Sequence, residues 1–388
     1  MNLLNQKIEE LSTVDIGNYD RNFTTELSEN KHNDNSVRKA LDRLICLYEQ
    51  SGFLYAEKKE RIFPHMDLIL KNWQAVLKMD GQLFNVVKFT GNNPVKEQLT
   101  SIIFWRTTYN SWIAQHLVST GFPAGVCAMM LRAQAEVNIE KHRYKSFQNW
   151  FSETNNYANM VFGTLIKTIG KKYSNLNSYA YIGVKHIPKY NSQSIRIIPY
   201  QLNLQQELYH FYCKIRGSID AEAEEINNND IELNYLDQLY RKVGLRRKRY
   251  VWLAVMKNKT FPAGVAIVNR APFGLNFSLL ENRCDLLIDP CLSKEIRQIV
   301  CHQLLSEAMK AYFSFEKKLD LPFPISFVPV VTDFESSKIL LHSGASFFRS
   351  YKKSVWLQQA FEGWYTHIQQ TYDSFFKKKE ETIKLKKI

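Results

Sequence analysis

Nowhere in the 388 residues is there an uninterrupted apolar run of the roughly 18 residues that a membrane-spanning helix needs. The best candidate, Phe122–Leu131, is too short. The amino-terminal stretch MNLLNQKIEELSTVDIGNYDRN has no basic segment leading into an apolar one, so neither a signal nor a transit peptide is expected. A soluble, cytoplasmic protein follows as the expectation. CxxC pairs are also missing. The six cysteines, at 46, 127, 213, 284, 291 and 301, have no histidine at ligand spacing beside them. That pattern fits buried thiols in a reducing compartment and argues against a zinc site, so no metal is expected. The chain carries no RRM, KH, zinc-finger or helix-turn-helix signature, which counts against sequence-specific nucleic-acid recognition.

Aromatic residues and positive charge are what the chain has in quantity. Phe 24, Tyr 20 and Trp 7 argue for packed interiors or stacking surfaces. The net charge of +13 is shared by both halves and draws the protein towards polyanions such as nucleic acid, anionic lipid or a phosphorylated cofactor. Two basic runs stand out, Arg241-Lys242 with Arg246-Arg247-Lys248-Arg249, and the tail from Lys377 to Lys387. They read either as solvated surface or as contacts to nucleic acid or an anionic membrane, which would make the protein peripheral to that membrane. A chain of this length with 45% hydrophobic residues exceeds one core, so two domains are expected.

Hydrophobic period divides the chain into elements. Residues 1–36 are polar and read as a partly flexible leader. Helices are predicted over Val37–Glu49 and Phe63–Met79, strands over Gln82–Phe89, Leu99–Thr107 and Ser111–Val118, and a helix opening after Ser119. A strand over Ser146–Phe151, a helix over Asn155–Ile169 and a closing strand over Tyr179–Lys185 complete the first half. The second half repeats the order: a strand Ile195–Tyr200, helices Leu204–Ile215 and Ile231–Val243, and strands Tyr250–Met256, Ala263–Asn269 and Arg283–Ile288. A helix Lys294–Phe313, a strand Ile325–Val331, a helix Phe334–Leu341 and short strands Phe347–Lys352 and Val355–Leu357 follow.

This order resembles the acyl-CoA N-acyltransferase (GNAT) fold, once over about 37–190 and again over 195–360, without matching a specific subfamily. The fold class expected is α/β (α+β), with two tandem GNAT-like domains, each a mixed, mostly antiparallel sheet flanked by helices. The divisions expected are the leader 1–36, the domains 37–194 and 195–360, and a basic helical tail 361–388. In that family a glycine-rich turn after the fourth strand offers backbone N–H groups at a helix N-terminus to the CoA pyrophosphate. Gly125-Val126-Cys127-Ala128 resembles its core, with Gly121 and Pro123 keeping the loop tight. The resemblance implies cofactor contacts from Gly121, Ala124, Gly125, Val126 and Cys127, with Arg106 on the neighbouring strand to hold an anion. The matching stretch of the second half, Asp289 to Gln298, has no glycine and also reads as a plain loop capped by Ser293 or Asp289. The tyrosine common near the end of the family's later helix is replaced by apolar residues in both halves.

The implied chemistry is acyl transfer from acyl-CoA or acetyl-CoA to an amine on a small molecule or peptide. It needs a base near the third and fourth strands. His116 in the first half and Glu281 and Asp285 in the second are the candidates, and His342 and Tyr351 lie near the closing strands. The alternatives are a degenerate GNAT-fold module that binds a polyanion or protein, and a Fem-like transferase using aminoacyl-tRNA.

Overall fold

The computed structural model describes residues 19–20, 34–79, 81–91, 98–119, 145–188, 190, 192–257, 259, 261–319, 324–368, 370–371 and 373–374. The first half contains strands β1 (Tyr19–Asp20), β2 (Phe84–Gly91), β3 (Gln98–Arg106), β4 (Ser111–Ser119), β5 (Ser146–Ser152) and β6 (Ser174–Val184). Its helices are α1 (Asp34–Gln50), α2 (Ala56–Ile62), α3 (Met66–Leu77), α4 (Asn156–Val161) and α5 (Leu165–Ile169). The second half contributes strands β7 (Ile195–Pro199), β8 (Lys248–Met256), β9 (Pro262–Arg270), β10 (Cys284–Ile288), β11 (Val328–Thr332) and β12 (Ser346–Leu357). Its helices are α6 (Gln205–Arg216), α7 (Ser218–Ala223), α8 (Asn234–Arg241), α9 (Lys294–Leu319) and α10 (Phe334–His342). No described helix is long and apolar enough to cross a membrane.

Three elements differ from the sequence reading for local reasons. The helix expected over 63–79 starts at Met66, because Pro64 sits in a 3-10 turn, Phe63–His65, where its missing N–H and fixed φ interrupt the α-helical ladder. The helix expected over 155–169 is two. Asn155 caps the first through the Ala158 N–H (3.0 Å), and Gly163 folds back so closely that a Cβ would sit 2.4 Å from the Asn159 carbonyl oxygen. The two short closing strands are one, β12, with a bulge between Phe347 and Arg349.

The described strands form one twelve-stranded sheet in the order β1-β2-β3-β4-β5-β12-β6-β11-β10-β9-β8-β7. In each half an antiparallel meander is followed by a parallel strand: β4 pairs β5 and β10 pairs β11, and both parallel ladders are short. This repeated arrangement is the tandem GNAT-like fold, a mixed, mostly antiparallel sheet flanked by helices. The closing strands join the halves. β12 lies between β5 and β6, and β6 lies between β12 and β11, with pairing from Ser346↔Gly183 to Trp356↔Ser174. Each closing strand therefore lies between two strands of the other half.

A second tie is the connection from β9 to β10, residues 271–283, which is buried almost throughout and runs beneath α1 and α3. Asn72 and Trp73 donate to the carbonyls of Phe273 and Gly274 (2.9 and 2.8 Å), and Gln115 donates to that of Leu275 (2.7 Å). Gly274 has φ +82, and a Cβ there would lie 2.3 Å from the Ile69 side chain, so the close approach requires glycine.

Beneath the seam lies a buried ionic network. Glu224 meets Arg249, Arg283 and Lys353, each at 2.9 Å, while Asp220 meets Lys353 at 2.7 Å. Asp285 bridges Arg216 (2.8 Å) and Arg283 (2.9 Å). Trp150 lies against both Arg283 and Lys353, and Tyr179 against Arg216. Burial alone would raise the Glu224 carboxyl, yet Lys353, Arg283 and Arg249 hold it well below the usual carboxylate range. Removing one partner strands the others without water. Glu224→Ala is expected to cost about 3–5 kcal/mol in urea unfolding, whereas Glu335→Ala, which breaks an exposed pair with Lys338, should change stability by under about 1 kcal/mol.

Candidate functional site

The parallel strands of each half run together for a few residues and then part. In the first half the pairing ends at Ala114↔Asn149. Immediately beyond, His116 takes φ 51, and the β3/β4 register shifts so that two residues of β4 oppose Ile102, a bulge that bends β4 away from β5. The turn that follows, with Gly121, Ala124, Gly125, Val126 and Cys127, lies outside the described residues.

In the second half β10 pairs β11 at Cys284↔Val330 and Asp285↔Val331 only. Each strand then leads into a helix, β10 into α9 and β11 into α10. Between these helices lies a groove of about 550 Å³ lined by Leu292, Lys294, Arg297, Gln298, Glu335, Lys338, Ile339 and His342. Its volume falls in the range of small-molecule sites. Four of its eight lining residues are basic or histidine and one is acidic. Lys294 and Arg297 are three apart on α9, and Lys338 and His342 four apart on α10, so each pair presents one helix face. Arg297 is braced by the Pro290 carbonyl (2.9 Å) and by Asp333 (3.4 Å). Lys294 is exposed, and Lys338 makes a surface pair with Glu335 (2.7 Å).

His342 has the geometry of a proton carrier. Its Nδ1 is 2.6 Å from the Lys338 carbonyl oxygen, so Nδ1 carries the hydrogen and donates. The lone pair is then on Nε2, in an exposed side chain.

One amide of the α9 N-terminus is capped from within, and Asp289 closes the turn that precedes the helix. Ser293 Oγ accepts the Ile296 N–H (3.4 Å), and Asp289 accepts the Cys291 N–H (3.0 Å) and pairs with Lys214. Any phosphate in the groove would be held by cationic side chains more than by a glycine loop.

The sequence candidates for catalysis sit in three separate environments. His116 is buried among Tyr48, Phe53, Trp73 and Phe277, 4.5 Å from the Phe277 ring centroid. Its Nε2 accepts the Phe277 N–H (3.1 Å) and its Nδ1 has no partner. Burial, with Lys58 adding to it, pushes the imidazole well below its usual pKa. With Nε2 engaged, the ring has no lone pair free to take a proton, so its contacts are those of a packed residue. Asp285 is held in the ionic network, where Arg283 and Arg216 overcome burial and keep it ionised.

Glu281 lies in the turn before β10. Its Oε1 accepts the Gly274 N–H (3.2 Å) while Oε2 is buried without a partner. Arg106, expected to hold the anion, lies at the end of β3 beside the start of β4. It pairs with Trp112, and the remaining seven residues of β4 span about 23 Å. Its guanidinium instead closes the hairpin through the carbonyls of Tyr109 and Gln82.

Of the cysteines expected to be buried, Cys284 and Cys301 are, Cys213 is half-buried, and Cys46 and Cys291 are exposed. Among the described residues no group of three His, Cys, Asp or Glu could hold a metal. The groove residues Lys294, Arg297 and Lys338 were not singled out by sequence, although their helical spacing carried a signal that the missing glycine obscured.

Burial raises the Glu281 carboxyl from 4.5 to about 7. Since the folded pKa is the higher, its contribution is fully present below about pH 4.5 and is lost as pH rises through 7. Glu281→Gln keeps the acceptor for Gly274 and removes the titration. It should match wild type near pH 4.5 and exceed it by about 2–3 kcal/mol at pH 8. Equal pH slopes in urea unfolding would refute this.

No family model matches the chain. No curated protein matches it at a significant level either. Among solved structures, a tandem GNAT protein from the clavulanic acid biosynthesis pathway is 10% identical over 77% of this chain and 95% of its own, with a TM-score of 0.34. A candidate acetyltransferase from Pyrococcus horikoshii is 7% identical over 83% and 87%, with a TM-score of 0.40. A conserved protein of unknown function from Staphylococcus epidermidis is 11% identical over 66% and 90%, with a TM-score of 0.34. At these values the fold assignment rests on the strand order and the parallel pairs described above.

Proposed function

We propose that the protein is an N-acyltransferase that uses an acyl-thioester of the acyl-CoA type, with the cosubstrate's phosphates entering the groove between α9 and α10. The observation that carries this reading is a basic groove of about 550 Å³ at the open end of the diverging β10/β11 pair. The groove fits the phosphate portion by charge and size, with its cationic side chains as the main contacts in place of a glycine loop.

The bound thioester would supply the activated acyl carbonyl. Lys294, Arg297 and Lys338 neutralise phosphate charge, and Leu292 and Ile339 offer apolar contact. His342 Nε2, left free by the Nδ1 bond, can take the proton that the acceptor's ammonium must lose before its amine attacks. The acceptor would be an amine on a small molecule or peptide.

The second reading is a binding module that keeps the fold without turnover. It is favoured by the structural engagement of His116 and Asp285, which leaves neither strand base available. Titration calorimetry with acetyl-CoA and longer acyl-CoAs, paired with a thiol-release assay, separates the two. For the enzyme, Lys294→Ala with Lys338→Ala should weaken binding by about tenfold or more. His342→Gln should lower turnover about 100-fold or more with binding unchanged. Binding without thiol release supports the module, and no binding by the intact chain rejects both uses of the groove.

A further inference from the structure

The cations of the seam are matched by carboxylates, but a second, partly buried set is not. Lys58 and Arg61 lie on α2 and Arg349 near the start of β12; Lys58 and Arg349 lie against Tyr55, the residue preceding α2, and Arg61 acts on it electrostatically. The Lys58 ammonium is 3.8 Å from the Phe53 ring centroid and 4.8 Å from that of Tyr55. The Arg349 guanidinium is 4.9 Å from the Tyr55 centroid and donates to its hydroxyl.

Their hydrogen bonds are sparse. Lys58 donates to the Phe53 carbonyl (3.2 Å) and Arg61 Nη2 to the Phe277 carbonyl (3.2 Å), while Arg61 Nε is buried without a partner. Among the described residues no carboxylate pairs with any of the three. Burial, and then Arg349 and Arg61, lower the Lys58 ammonium to about 7, as expected where like charges meet with nothing between them. Lys58 is 4% exposed, while Tyr55, Arg61 and Arg349 are half-buried, so solvent reaches part of the cluster.

We propose that Lys58, Arg61, Arg349 and the Tyr55 hydroxyl form a binding site for the anionic oxygen group of a small ligand, a carboxylate or a phosphate. Two guanidinium groups and an ammonium supply charge-assisted donors. The Tyr55 oxygen already accepts from Arg349, so its own proton is free to donate to the anion. The anion removes the repulsion among the three cations and favours the protonated form of Lys58. This site is built from α2 and β12 and does not depend on the α9/α10 groove or on acyl transfer.

The test is titration calorimetry of the full chain at pH 7.5 and constant ionic strength, with inorganic phosphate and with succinate as probes. Saturable binding of either is expected, and the probe that binds identifies the source. Arg61→Met and Arg349→Met should weaken it about tenfold or more, Tyr55→Phe by severalfold, and Lys310→Ala, which removes an exposed cation outside both the cluster and the groove, should leave it unchanged. Should an arginine variant fail to fold, Tyr55→Phe retains the ring and decides the question.

Succinate heats should also differ between HEPES and Tris, reporting proton uptake, and Lys58→Met should abolish that difference. Neither anion binding, or Tyr55→Phe and Arg349→Met binding as wild type does, would overturn the proposal.

Discussion

The Glu224 carboxylate governs how the two halves fit. It lies 3% exposed at the end of the short helix α7 and is shared by Arg249 on β8, Arg283 next to β10 and Lys353 on β12. Desolvating these ions is costly, and only simultaneous pairing offsets it. The geometry therefore has little freedom. Arg283 also holds Asp285, Asp285 holds Arg216, and the β10 strand that leads to the groove is placed by the same contacts that seat β12 against β5 and β6.

The protein treats buried cations in three ways, and the difference separates structure from candidate function. In the seam, each faces an acid. Arg247 is fully buried without one, but it donates to the carbonyls of Arg270, Glu281 and Thr107 and to the Asn269 side chain, and burial lowers it to about 9. Beside α2, Lys58 and Arg349 lie against one phenol, and Arg61 keeps a buried Nε without a partner. In the α9/α10 groove the basic side chains face open space, where an anion would gain the most from them and desolvation costs least.

Much of the architecture was legible in sequence because hydrophobic period reports which face of an element is buried. The paired meanders, the α9 helix and the repeated element order all came from that pattern. It failed where a single residue broke a helix, at Pro64 and Gly163, and where a polar residue sat inside a central strand. Lys353 and Ser354 split the apolar pattern of β12, yet both are buried, because Lys353 meets Asp220 and Glu224. The site was less legible. Polar residues on or beside core strands, His116, Glu281 and Asp285, looked chemical in sequence for the same reason that they matter structurally: each is a buried polar group that must find partners.

By itself the sequence determined the elements, their order and the GNAT-like resemblance, since these depend on local period and turn chemistry. Tertiary structure alone decided that the closing strands interleave, that Arg106 is engaged by the carbonyls of Tyr109 and Gln82, and that Lys294, Arg297, Lys338 and His342 face one groove. The physical reason is that pairing between distant strands and the meeting of charges across helices are set by desolvation and contact in three dimensions. No local pattern encodes which carboxylate a buried cation will find, or whether it will find one.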